Sequence, residues 1–386
     1  MNNFRVKKDC SGCGACTIAC PNHCITMISD VEGFLYPVTD TLKCNNCDLC
    51  EKICPTSAEY FGNKSLVSYA MRSKDSNVRM SSSSGGIFTV LAVSVLRNGG
   101  IVFGAAADNM QQIRHICVKS ENELWKLCGS KYVQSDVGNS YFEVKKELKN
   151  DTVVYFSGTP CQIAGLYAFL RHDYSNLITQ DIICHGVPSP LVWKKYIKEK
   201  SEKNHSGVRE ASFREKSKGW ERFSMKIGFN NGKNYVADLS KDLYLRGFLN
   251  NLFLRPSCYA CAFKSEQRLA DITLADCWGA DRLNVKLPFD QGLSLVSINS
   301  IKGMQLFREV ESMVESESLS WKAAIGYNCA ATESATLNTQ RNSFFEKLAF
   351  DQPIHKTIRN HLPKNSIINQ IVSKLYRIKK RFLHRV

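Results

Sequence analysis

The chain of 386 residues lacks any apolar run near the roughly 18 residues that a membrane-spanning helix needs. The longest candidate, Ile87 to Leu96, is about half that length and is interrupted by Thr89 and Ser94. The opening residues, Met1 to Asp9, hold no apolar stretch that would serve as a secretory leader. These two absences argue against a bilayer-spanning protein and an exported disulfide scaffold, and the expected location is a reducing cytoplasm. Acidic residues are missing from Lys356 to Val386, where nine Lys and Arg give this tail +9 of the total +15. The basic charge therefore belongs mainly to the tail, not to a folded face, and no nucleic-acid partner is expected. With 44% hydrophobic and 23% charged residues, the composition also excludes collagen-like and disordered chains.

What the chain has in excess is cysteine: 17 in all, nine of them within the first 54 residues. In a reducing compartment, clustered thiols point to metal or redox chemistry. Cys10, Cys13, Cys16, Cys20 and Pro21 are echoed by Cys44, Cys47, Cys50, Cys54 and Pro55, an internal repeat of the Cys-x-x-Cys-x-x-Cys-x-x-x-Cys-Pro type. Three closely spaced thiolates wrap one corner of a 4Fe-4S cubane, and the fourth, before the proline, reaches the other cluster. One cluster is thus expected on Cys10, Cys13, Cys16 and Cys54, the other on Cys44, Cys47, Cys50 and Cys20. Structural zinc is the competing reading, but it has no use for the third close cysteine or the prolines. Cys24 falls outside the pattern and is expected to be a buried small hydrophobe.

Length allows two or three domains. The expected architecture is mixed α+β and α/β: a ferredoxin-like two-cluster domain over residues 1–62, the two parts of a flavin-binding α/β region over 63–150 and 151–320, and a helical basic extension over 321–386. Within the first, residues 31–37 have the aromatic and turn character of a hairpin. Val153 to Phe156 reads as a strand, Gly158 as its turn, and Thr159-Pro160 as the cap and first position of a helix that Cys161 opens. A second strand, Leu177 to Ile183, ends at Cys184-His185, and Ser189-Pro190 starts another helix. A strand–helix–strand crossover puts both strand ends on one edge, so Cys161 and Cys184 are expected to face one crevice. Cys258-x-x-Cys261 supplies a close pair that would complete a third cluster, with Cys277 as a competitor. Further strands are expected over 223–229, 235–239, 272–275 and 293–298, and a helix over 301–314. Cys117, Cys128 and Cys329 are expected in the core.

Seven words carry a family resemblance: Ser82-Ser-Ser-Gly-Gly86, Gly129-Ser-Lys-Tyr-Val-Gln-Ser135, Phe156-Ser-Gly-Thr-Pro-Cys-Gln-Ile163, Cys184-His-Gly-Val-Pro-Ser-Pro190, Phe213-Arg-Glu-Lys-Ser-Lys-Gly-Trp220, Arg255-Pro-Ser-Cys-Tyr-Ala-Cys261 and Asp271-Ile-Thr-Leu-Ala-Asp-Cys-Trp-Gly279. In this order, over about residues 1–300, they resemble the coenzyme F-420 hydrogenase/dehydrogenase beta-subunit family, whose coenzyme is a deazaflavin. The resemblance implies FAD, a cluster near it, and an oxidoreductase exchanging electrons between clusters and a hydride carrier. Its partner would be ferredoxin or the deazaflavin, and for bacterial members a sugar-linked substrate in surface-polysaccharide synthesis. The alternative is an electron-transfer subunit serving a separate catalytic chain.

Small residues such as Ser82, Ser83, Ser84, Gly85 and Gly86 let backbone approach a pyrophosphate at a helix start. Lys131 would neutralise phosphate or meet the flavin pyrimidine, and Gly158 and Thr159 are further cofactor-binding candidates. His185 is the candidate proton carrier or donor to a flavin or substrate oxygen. In the tail, Ile367, Ile371, Leu375, Ile378 and Phe382 recur at helical spacing among Lys and Arg. That is the pattern of a basic amphipathic helix, which either docks on the chain's own core or rests on an anionic membrane.

Overall fold

The computed structural model describes residues 8–57, 62–350 and 352–363. The amphipathic stretch expected from Ile367 lies outside the described residues, and among those described no helix is long and apolar enough to cross a membrane.

The described strands, in chain order, are β1 (Ile25–Ser29), β2 (Leu35–Thr39), β3 (Val67–Ser73), β4 (Ile101–Ala107), β5 (Ile113–Val118), β6 (Val154–Gly158), β7 (Leu177–Ile182), β8 (Val208–Glu215), β9 (Ser224–Phe229), β10 (Asn234–Asp238), β11 (Ile272–Asp276), β12 (Ser294–Ile298) and β13 (Val314–Leu319). They form the hairpin β1–β2, the meander β10–β9–β8, and an eight-stranded mixed sheet of order β13–β3–β12–β11–β7–β6–β4–β5. Its centre, β4, β6, β7 and β11, is parallel. Such strands are covered on both faces and need consecutive apolar residues. Val154, Tyr155 and Phe156 are accordingly all buried. Tyr155 faces the helices Ile87–Arg97 and Ile301–Val310, while Val154 and Phe156 face Ser140–Lys149 and Pro160–Leu170. A third apolar core joins the meander to the helices Pro190–Asn204, Leu243–Leu249, Arg341–Leu348 and Ile354–His361.

The crossover is as expected: β6 and β7 are parallel, with Val154 opposite Leu177 and Gly158 opposite Asp181. Thr159 and Gln162 form a capping box on the helix Pro160–Leu170. Ser189 accepts from the Val192 amide and caps the next helix. The helix expected over 301–314 ends sooner, at Val310, and Val314 instead starts an edge strand on β3. Alternation in Val314-Glu-Ser-Glu-Ser-Leu319 wins over helical continuation there.

One buried histidine makes the fold sensitive to acid. His115 Nε2 donates to the Ser157 carbonyl at 3.1 Å, and its Nδ1 lies 3.1 Å from Ser135 Oγ. Gln162 Nε2 donates to that Ser135 oxygen, leaving the hydroxyl proton for Nδ1. The ring is therefore neutral, and burial pushes its pKa down to about 4 from 6.5. Below the unfolded value the open chain takes up a proton that the folded protein refuses, so stability is lost as pH falls from 6.5 towards 4. Between about pH 7 and pH 5 the expected loss is roughly 2 kcal/mol, read from urea midpoints. His115→Gln should flatten that portion of the profile, and an unchanged slope would assign it to other groups.

Candidate metal centre

At the N-terminus, the first turn of thiols and the last cysteine of the repeat come together. Cys10, Cys13, Cys16 and Cys54 line one small cavity with Gly12, Gly14 and Pro55. Burial, helped by neighbouring thiols, pushes Cys13 and Cys16 up to about 12. The first crossed set read from the spacing is thus a set of neighbours. Around the second set, Cys20 packs with Cys24, Cys16, Cys44 and Cys50. Cys24 is buried, but it is more than a filler: its sulfur lies 3.3 Å from Cys20 Sγ. Cys47 is exposed, and the Asn46 amide donates to Cys44 Sγ at 3.4 Å. Among the described residues, no three Cys, His, Asp or Glu side chains converge as a single-ion site.

The second concentration of thiols stands at the carboxyl edge of the sheet. Cys161 follows β6, Cys184 follows β7, and Cys258 and Cys261 come from the short helix Pro256–Ala260 and its cap. All four line a cavity of about 230 Å³. Burial raises Cys161, Cys184 and Cys258, and each thiol raises its neighbours further. Thr159 Oγ1 lies 3.1 Å from Cys161 Sγ, and the Val187 amide donates to Cys258 Sγ at 3.4 Å. Cys277 is not part of this wall; it is buried with Ala70 and Trp220 in a different cluster.

Asp9, Ser11 and Thr56 of the cysteine-rich unit line the same cavity. The two concentrations of thiols therefore share a wall, and one helix touches both. Cys161 opens the helix Pro160–Leu170, and Gly165, one turn on, faces Cys13. A Cβ on Gly165 would sit 2.9 Å from Cys13 Cβ and 2.9 Å from the Tyr141 hydroxyl. Gly165→Ala should therefore displace the Cys13 loop at an overpacking cost of about 1–3 kcal/mol. The expected outcome is lower iron occupancy in the N-terminal unit, and wild-type iron content would refute it.

Other predicted residues fall in three places. His185 lines the cavity, and its Nε2 is 2.6 Å from Asn251 Oδ1, with burial lowering its pKa. Lys131 is half-buried and spends its ammonium on the carbonyls of Lys126, Leu127 and Cys128, capping the helix Glu121–Lys126. Ser82 to Gly86 lead into the helix Ile87–Arg97 at the carboxyl end of β3, and no side chain caps that helix. Ser83 Oγ accepts from the Ser130 amide, and Ser84 Oγ donates to the Leu293 carbonyl. A Cβ on Gly85 would lie 2.5 Å from the Met71 carbonyl oxygen, so close sheet packing itself demands that glycine. Cys329, expected in the core, is exposed at the start of the short helical turn Cys329–Ala331. Cys117 and Cys128 are half-buried.

Sequence reasoning missed the cations around these thiols. Lys264 donates to the Cys184 and Ala330 carbonyls, and Arg268 pairs with buried Asp181 at 2.8 Å; both line the cavity. Their nearness in sequence to Cys261 was the available signal. The loop Phe213 to Trp220, open to reading as a solvated charged loop, buries Arg214 on Asp276 and seats Lys216 on the carbonyls of Arg79, Ser84 and Gln291.

Family profiles match three stretches of the chain: a 4Fe-4S dicluster domain over residues 9–58, the coenzyme F-420 hydrogenase/dehydrogenase beta-subunit N-terminal region over 68–140, and the C terminus of that beta subunit over 151–335. No curated protein matches the chain. Among solved structures it is similar to a chain of the xenon-derivatised F-420-reducing nickel–iron hydrogenase complex from Methanosarcina barkeri. The identity is 20%, the TM-score 0.46, and the match covers 78% of this chain and 94% of the other.

Proposed function

The chain belongs to the coenzyme F-420 hydrogenase/dehydrogenase beta-subunit family, with a ferredoxin-type 4Fe-4S domain fused at its N-terminus, and on that premise we propose that it carries electrons through three clusters to FAD. The third cluster would be held by Cys161, Cys184, Cys258 and Cys261. The observation that carries this reading is the cavity of about 230 Å³ on which those four cysteines, from three separate segments, meet Ser11 and Thr56 of the ferredoxin-type unit. Thiolates are the ligands such clusters take, and the cavity admits more than one ion.

Bound FAD would supply two-electron storage and hydride exchange, which single-electron clusters lack. The residues that would hold its pyrophosphate are the first amides of the helix Ile87–Arg97, left without a side-chain cap beside the Ser82–Gly86 turn. Buried Lys216 touches the Ser84 carbonyl; burial pushes its pKa down to about 7, and a pyrophosphate beside it would favour its charged form. The Ser83 and Ser84 hydroxyls and the Lys131 ammonium are spent on backbone partners, so the support is chiefly main-chain. His185, with Nε2 given to Asn251, keeps Nδ1 to accept a proton at the cavity wall.

The substrate beyond the flavin is proposed as a deazaflavin or a sugar-linked compound, in the latter case within surface-polysaccharide synthesis. A cytoplasmic protein resting on an anionic membrane through its basic tail belongs to the same proposal. The family's description as a beta subunit favours a second reading, in which a partner polypeptide performs the final chemistry. Anaerobic purification with iron, sulfide and flavin counts tests the first. About twelve irons and one FAD per chain are expected; zinc, or iron without flavin, would overturn it, and absence of turnover by the loaded chain alone would favour the partner.

A further inference from the structure

Arg255 is fully buried, and burying a guanidinium is costly unless an anion answers it. The other buried arginines each have a carboxylate: Arg214 pairs with Asp276, Arg268 with Asp181 and Arg341 with Glu32. Among the described residues, no carboxylate pairs with Arg255. Its Nε donates to the Cys10 carbonyl at 2.7 Å, Nη1 to Gln134 Oε1 at 2.9 Å, and Nη2 to the Leu35 carbonyl at 3.0 Å. Nη2 also donates to Cys10 Sγ at 3.6 Å. Below it the ring of Tyr36 stacks at 4.2 Å. The cysteine loop is moulded onto this cation: a Cβ on Gly12 would fall 2.7 Å from Nη1. On its other side, the Arg255 carbonyl accepts from the Cys258 amide at 2.9 Å.

We infer that Arg255 is the counter-charge and thiolate hydrogen-bond donor for a cluster on Cys10, Cys13, Cys16 and Cys54, and that it makes this cluster the easier of the two ferredoxin-type clusters to reduce. The inference rests on the reading above that clusters occupy these cysteines. A positive charge and an N–H···S bond both favour the added electron. Among the described residues, no cation donates to a sulfur of the second set: Cys44 Sγ accepts from the neutral Asn46 amide, Cys20 meets only neutral backbone amides and the Cys24 thiol, and Lys43 is paired with Asp40 at 3.3 Å. An electron given up by a cluster held on Cys20, Cys44, Cys47 and Cys50 would be taken up by the one held on Cys10, Cys13, Cys16 and Cys54, the first being oxidised as the second is reduced. The electron thereby rests at the site that shares a wall with Cys161 and Cys258.

The test is anaerobic potential poising followed by electron paramagnetic resonance on the full chain, as wild type, Arg255→Lys and Arg255→Gln, with iron counted in each. In Arg255→Gln, one ferredoxin-type cluster should become harder to reduce, its reduced-to-oxidised ratio at fixed potential falling about tenfold, or about 59 mV for one electron. The other cluster should not move, and Arg255→Lys, which keeps the charge but loses the fork, should shift less. Full iron with unmoved potentials overturns the inference alone. If Arg255→Gln loses iron, Arg255→Lys decides: a shift confined to one cluster supports the inference, and none overturns it. A wild-type chain without iron on the Cys10 set overturns the parent reading, and this inference with it.

Discussion

Cys258→Ser should lower iron by about four per chain while leaving the N-terminal eight in place. Cys258 stands in the wall where segments from β6, β7 and the Pro256–Ala260 helix converge. Its sulfur is held by the Val187 amide at 3.4 Å, so a ligand removed there is not easily replaced by a moving neighbour. Serine preserves volume but exchanges a soft thiolate for a hard oxygen, which iron–sulfur clusters seldom accept. Cys277→Ser is the matched control. That thiol is buried with Trp220 and Ala70, away from the cavity, and its loss should cost no iron. If instead Cys277→Ser removes iron and Cys258→Ser does not, the ligand set proposed for the third cluster is wrong. Unchanged iron in both variants would leave the cavity without a cluster and break the path to the flavin.

Part of this arrangement was legible in the sequence because it is local. Cysteine spacing predicts which N-terminal thiols meet, and Thr159-Pro160 and Ser189-Pro190 mark helix starts that the structure has at those positions. The crossover rule brings Cys161 and Cys184 to one edge because chirality leaves a parallel pair little choice. What was not legible depends on contacts between distant segments. Nothing local to Arg255 says that its guanidinium reaches back 245 residues to Cys10. Nor does the Lys131 word reveal that the ammonium is taken up by the carbonyls of Lys126, Leu127 and Cys128, at the end of the preceding helix. The glycines of 85–86 read in sequence as a phosphate cradle, whereas Gly85 is required by its packing against β3. The stretch from Trp321 to Pro353, silent in pattern, includes the helix Arg341–Leu348, whose first residue reaches the N-terminal hairpin.

That contact gives the second large expected effect. The turn between β1 and β2 inserts Phe34 into full burial, 6.5 Å from Phe345, and Ser189 Oγ donates to the Glu32 carbonyl. Arg341 grips Glu32 through both carboxylate oxygens, Nη1 donating to Oε1 at 2.9 Å and Nη2 to Oε2. Its Nε donates to the Leu254 carbonyl at 3.1 Å, four residues before Cys258. The pair raises the Arg341 pKa against the opposing pull of burial, so its charge is secure at neutral pH. Arg341→Met leaves a half-desolvated carboxylate with no cation, and removing one member of a buried pair costs about 3–5 kcal/mol. Denaturant unfolding should show that loss, and proteolysis should release the hairpin unit more readily than in the wild type. Glu32→Gln combined with Arg341→Met should cost less than the two single changes together, since the second substitution removes the stranded charge. Strict additivity would mean that the pair carries no coupling. The hairpin would then be held by Phe34, Ser189 and the Arg255 contacts to Leu35 and Tyr36, and the distance between the Cys10 set and Cys258 would not depend on Arg341.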